Sequence, residues 1–154
     1  MTPIIVIDTR EQDPLVFRNL ASIRGSLTSG DYSLSGAEEL FAVERKSIPD
    51  LIASVTGERE RFERELHRLR GFRFARLLIV GSRMEAETHR YRSGTTPKAV
   101  LHSLAAFEAR YNVPVVWEPV PEEAALRVES WAFWFAREIT KTALQIQTTK
   151  PSTP

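Results

Sequence analysis

The apolar run Leu40–Val43 passes without a break into Glu44-Arg45-Lys46. A run of this kind reads as a strand, and a strand that buries its apolar part carries charge inward only at high cost unless the charge is paired. The fold must therefore bring this strand end to a rim where a partner waits, either an ion pair or a metal ion and a phosphate. Alternation sharpens the constraint. Side chains two apart on a strand share a face and lie about 6–7 Å from each other. Glu44 and Lys46 point one way, and Arg45 points the other. Alone, the pair is also what a surface cross-strand ion pair looks like, worth only tenths of a kcal/mol.

Gly30-Asp31 lies one turn upstream, in Ser29-Gly30-Asp31, and a hairpin brings it beside Glu44. The first apolar run, Pro3–Ile7, ends in Asp8, with Arg10 and Glu11 just beyond. Acids at strand ends gather at one rim of an α/β sheet, where ligand sites of such folds lie. A hard cation takes oxygen ligands, and Mg2+ favours carboxylates plus waters. Such an ion polarises a phosphoryl oxygen and lowers the pKa of a bound water, and a neighbouring lysine orients that water or stabilises developing negative charge. Asp31 and Glu44 make a two-carboxylate site with Lys46 beside it, to which Asp8 and Glu11 are able to add ligands.

The rest of the chain supplies the frame. A strand is expected over Gly25–Thr28, and with Tyr32–Gly36 and Glu39–Lys46 it suggests an antiparallel hairpin or meander. Ser47 caps a helix carrying Pro49 in its first turn and Asp50 near its positive end. A second helix follows Gly57, with Phe62, Leu66 and Leu69 at helical spacing and Gly71 at its end. Ala75–Gly81 is a buried strand, and Ser82–Lys98 reads as a polar loop with no clear period. Thr96 and Pro97 open an amphipathic helix, Val113–Pro119 is the last strand, and Pro121 opens the last helix. Strands alternating with helices after a hairpin imply α/β architecture, a mixed central sheet flanked by helices. One domain is expected over 1–142, with a Thr/Pro-rich tail over 143–154 read as disordered.

Composition removes alternatives. The chain has 154 residues, no cysteine and a net charge of +1, so it carries no disulfide framework and no thiolate metal site. The N-terminus lacks the pattern of a signal peptide, and no apolar run approaches the ~18 residues of a membrane span. An intracellular, cytoplasmic, nucleoid-associated protein is the expectation. The near-zero net charge does not announce nucleic-acid binding, although a local patch suffices for it.

Gly30-Asp31, twelve intervening residues, Glu44-Arg45-Lys46, three residues and Asp50 resemble the signature of the XPF-type structure-specific nucleases, a branch of the restriction-endonuclease-like PD-(D/E)xK group. Asp8-Thr9-Arg10-Glu11 matches that family's earlier Asp-x-Arg-Glu. Either piece alone is common; both in order are specific. The resemblance covers roughly residues 3–140 and implies a restriction-endonuclease-like fold. It implies Asp31 and Glu44 as metal ligands, Lys46 as the catalytic lysine, and Asp8 and Glu11 as further acids, Asp8 among the ligands. Arg45 and Asp50 are implied as supporting residues, Arg10 as a phosphate contact or a brace for the acids, and Arg61, more loosely, as a basic member. The implied activity is Mg2+- or Mn2+-dependent cleavage of DNA, as a homodimer, in repair, recombination or phage replication. No Gly-x-Gly hairpins of a tandem helix-hairpin-helix domain follow, so the chain reads as a stand-alone member or a domain cut from a longer protein, and a separate partner is one source of DNA targeting. A non-catalytic DNA-binding or scaffold subunit, and cleavage of RNA, are the competing functions.

Several features have plainer readings. Arg59 to Arg76 form a basic track interleaved with glutamates, and i,i+4 pairs such as Glu60–Arg64 make it a solvated helix face. His89, Arg90, Tyr91, Arg92 and Lys98 lie in a segment that suits single-strand or backbone contacts or is simply a loop. His67, His89 and His102 share no metal-ligand spacing. In the last helix Val128, Trp131, Phe135 and Ile139 form a core stripe, while Phe133 and Trp134 lie off it, a candidate dimer surface.

Overall fold

The computed structural model describes residues 2–148. In chain order the elements are β1 (Ile5–Asp8), β2 (Ser22–Gly25), β3 (Tyr32–Leu34), β4 (Phe41–Ser47), α1 (Ile48–Val55) and α2 (Arg59–Leu69). They continue with β5 (Phe74–Val80), α3 (Arg83–Glu87), α4 (Pro97–Tyr111), β6 (Val115–Glu118) and α5 (Pro121–Gln145). The strands form one sheet in the order β2-β1-β3-β4-β5-β6. β3 runs antiparallel to both β1 and β4, whereas β1–β2, β4–β5 and β5–β6 are parallel. This is the mixed, helix-flanked α/β sheet the sequence implies.

Two local expectations are corrected. The second strand is Ser22–Gly25 rather than Gly25–Thr28, and it pairs in parallel with β1 at the sheet edge instead of joining a hairpin. Leu27 leaves the ladder because its N–H is taken by the Asp8 side chain. Ser82–Lys98 is not wholly a loop: α3 opens with a reciprocal capping box between Ser82 and Glu85, the structural form of a Ser-x-x-Glu sequence pattern. Ser47 and Thr96 cap α1 and α4 as expected.

The core has two layers, one on each face of the sheet. Ala42, Leu77 and Ile79 pack under α1, α2 and α4 with Leu51, Phe62, Leu66 and Phe107. Ile5, Ile7, Tyr32, Phe41, Val43 and Leu78 pack under α5, against Ala124, Val128 and Ala132. α5 buries Val128 and rests Trp131 and Phe135 on this second layer, leaving Trp134 exposed. The helix continues through Gln145, past the expected domain edge, and residues 149–154 of the expected tail lie outside the described residues. No described helix is long and apolar enough to cross a membrane.

Candidate metal centre

The two-layer core fixes which side chains meet. β4 places Ala42 on the α2 side and Val43 on the α5 side, so Glu44 and Lys46 continue the α2 side and Arg45 turns toward α5. By the same alternation Ile7 and Tyr32 face α5, which puts Asp8 and Asp31 on the α2 side. Four charged side chains from three adjacent strands therefore converge at one end of one face. Asp8, Arg10, Glu11, Gly30, Asp31, Glu44, Lys46, Asp50, Arg61 and Glu65 all line a cleft of about 350 Å3 there.

Gly30 shapes the approach of Asp31. Its φ is +79°, and a Cβ would stand 3.2 Å from Ala42 Cβ and 3.3 Å from the Val43 carbonyl. Glycine is the residue that accepts both the dihedral and the crowding. Beyond it, Asp31 N–H donates to Val43 O (2.8 Å), Asp8 N–H donates to Asp31 O (2.9 Å), and Arg45 N–H donates to Asp31 Oδ2 (2.8 Å). Asp31 is thereby tied to both neighbouring strand ends, its carboxylate taking the place of the next ladder acceptor.

Asp31 and Glu44 are the electrostatically loaded pair. Burial pushes the Asp31 carboxyl up to about 7, with the charges of Glu11 and Glu65 adding to the rise and the Arg45 N–H and Lys46 opposing it. Burial likewise holds Glu44 well above the usual carboxylate range, reinforced by Asp31 and Glu65, against the pull of Lys46. Lys46 Nζ lies 3.4 Å from Glu44 Oε1 and 5.1 Å from the Phe62 ring centroid. One ammonium faces two carboxyls, Asp31 and Glu44, each of which makes ionisation of the other harder.

The other expected residues divide by geometry. Asp8 is buried on the cleft floor, but both oxygens are engaged: Oδ2 with Arg10 Nε (2.6 Å) and Oδ1 with Leu27 N–H (3.1 Å). Arg10 braces the acid while most of its side chain stays exposed. Glu11 leans toward the α5 side, accepting from Tyr32 OH (3.0 Å) and facing Arg45 Nη1 at 3.6 Å. Arg45 also donates to Asp13 O, which makes its side chain a brace behind the cleft. Asp50 sits exposed at the mouth, where its backbone N–H bonds the Ser47 cap. Arg61 is at the mouth too, paired loosely with Glu58 at 3.6 Å.

Glu65 falls within the track that the sequence presents as a solvated face, yet the structure places it in the cleft. Its Oε1 accepts from Gly30 N–H (3.3 Å), and it lines the cleft with Glu44, whose carboxyl it helps to hold above the usual range. The signal is in the helical phase: Phe62, Glu65, Leu66 and Leu69 share one stripe, so an acid interrupts an otherwise buried face. The expected Glu60–Arg64 pair is absent from the ion pairs of the described residues; Arg59–Glu63 and Arg110–Glu63 form instead.

Among the described residues, no three acid or histidine side chains close tightly enough to enclose an ion. The donor set still fits Mg2+ or Mn2+. Such ions take one or two carboxylates and keep several waters, and the carboxyls of Asp31 and Glu44, which line the cleft together, provide the oxygen donors.

A family model described as the ERCC4 domain matches residues 7–128. The chain belongs to the ERCC4 domain family. Among solved structures, this ERCC4 chain is similar to XPF from Aeropyrum pernix, with a TM-score of 0.72 and 22% identity over 92% of this chain and 69% of that one. XPF from Aeropyrum pernix in complex with DNA gives 0.68 and 23% over 91% and 66%. At that identity the likeness establishes the fold. No curated protein matches by sequence.

Proposed function

We propose that the chain is a divalent-metal-dependent DNA endonuclease acting on branched, forked or flapped DNA. The observation that supports this most is the meeting of half-buried Asp31 and buried Glu44 with Lys46 on one sheet face, in a chain of the ERCC4 domain family. The complex of the similar XPF from Aeropyrum pernix with DNA supports the choice of substrate. In this reading Asp31 and Glu44 hold Mg2+ or Mn2+, and Asp8, with one hydrogen bond on each oxygen, adds a ligand through a remaining lone pair. The ion, when bound, supplies Lewis-acid activation of a water and of a phosphoryl oxygen.

The residues do the rest. Lys46 aims its N–H donors into the cleft and stabilises charge as water attacks phosphorus and the bond to the leaving oxygen breaks. Arg10 and Arg61 at the mouth meet the flanking phosphates. Arg45 keeps Glu11 and Tyr32 in place behind Asp31, and Asp50 stands at the entrance. Trp134 on α5 is more than half exposed and serves a homodimer. The cytoplasm, at the nucleoid, is the proposed place of action, in repair, recombination or phage replication.

The test is cleavage of labelled flap and fork DNA with Mg2+ and with chelator. The native chain is expected to cut only with the ion. Asp31→Ala and Lys46→Ala are each expected to lower the rate by at least about 10²-fold while remaining folded. Wild-type rates in either variant would remove the assignment. Tight binding of the same probes without any cleavage would leave the scaffold reading instead.

A further inference from the structure

A second cavity, of about 640 Å3, adjoins the metal cleft. It is lined by Pro49, Ile52, Ala53 and Thr56 of the α1 region and by Arg90, Tyr91 and Arg92 of the segment between α3 and α4. Ala53, exposed on α1, lines both cavities, so the two are neighbours there.

The segment carrying the arginines is built rather than loose. His89 adopts φ +59°, and its ring stacks on Tyr91 with centroids 4.4 Å apart and planes 29° from parallel. Tyr91 rests on the core layer under α1, and its hydroxyl donates to Thr95 O (2.7 Å). Arg90 N–H closes back on Glu85 O (2.8 Å). The one acid lining the cavity, Glu85, accepts from Ser82 N–H in the α3 cap. Arg90 and Arg92 are exposed and form no ion pair among the described residues, where the arginines that do so are Arg10, Arg45, Arg59, Arg61, Arg83, Arg110 and Arg127.

We propose that this surface holds the single-stranded arm of a branched DNA as it leaves the metal cleft. The inference rests on the nuclease reading and assigns the part of the substrate that lies over α1. Two guanidiniums without acid partners, beside an aromatic stack, match a single strand, whose phosphates are regularly charged and whose bases are free to stack. A duplex keeps its bases stacked internally and would use only the charge. Occupancy by an arm would make this domain bind branched DNA more tightly than plain duplex.

The test measures binding by fluorescence anisotropy, with Ca2+ replacing Mg2+, to a plain duplex and to the same duplex carrying a ten-nucleotide oligo-dT flap. The Arg90→Ala/Arg92→Ala variant is compared with the native chain after thermal melts establish that both are folded. The variant is expected to lose about tenfold or more in affinity for the flapped probe and less than about twofold for the duplex. Its salt slope on the flapped probe should fall by about 1.4, at roughly 0.7 for each single-strand phosphate that an arginine no longer neutralises. Equal losses on both probes, or no loss on the flap, would overturn the inference while leaving the metal centre untouched. Failure of the native chain to bind either probe would overturn both readings.

Discussion

At the scale of the residue, the site is defined by what each carboxylate already holds. Asp8 holds Arg10 Nε and Leu27 N–H, one on each oxygen, and Glu11 is turned toward Tyr32 and Arg45. Half-buried Asp31 and buried Glu44 are left facing one cleft with Lys46 as their nearby cation. Glu65 lines the same cleft and holds Gly30 N–H. A side chain in that place orients ligands, and losing such a partner typically costs 10–100-fold in metal affinity or activity. Glu65→Gln keeps the acceptor for Gly30 N–H and removes the charge, so it is expected to weaken Mn2+ binding by about tenfold or more in titration calorimetry. An affinity within about twofold of wild type would show that Glu65 is only part of the α2 surface.

At the scale of the element, the carboxylates meet because the turn before β3 and the end of β4 are locked together. Gly30 is where the lock is most easily broken. Gly30→Ala forces a side chain into φ +79° and against β4, a strain of about 1–3 kcal/mol. It is expected to lower the unfolding free energy by that amount in urea and to reduce cleavage through displacement of Asp31. A variant as stable and active as wild type would show that the turn has room to adjust. The alternation of β4, the caps at Ser47 and Thr96 and the Gly-Asp motif are legible in the sequence because they depend on local geometry. The parallel pairing of β2 with β1 is not, since it is decided by a long connection and by Asp8 capturing Leu27 N–H. Glu65 is legible in helical phase but masked by the surrounding arginines. The short α3 hides in a polar stretch without apolar period, although Ser82 and Glu85 announce it.

At the scale of the whole molecule, the buried acids oppose the fold that positions them. The Asp31 carboxyl titrates at about 7 in the folded chain against an ordinary value of 3.8. Between those values the folded chain keeps a proton that the unfolded chain has released. This contribution to stability is therefore fully present below about pH 4 and is lost as the pH rises through about 7. A divalent ion that binds the ionised pair stabilises the folded state by mass action, and it does so best at high pH, where it does not compete with protons. Metal affinity and metal-free instability thus share one cause, the Asp31–Glu44 pair.

The most direct measurement is the melting temperature of the native chain and of Asp31→Asn at pH 8, first without metal and then as Mn2+ is added. The native chain is expected to melt lower without metal and to gain several degrees on addition, at about 2–4 °C per kcal/mol for a chain of this size. Asp31→Asn should start higher, because one buried like charge is gone, and gain almost nothing. An equal rise with Mn2+ in both proteins, or none in the native chain, would contradict this expectation.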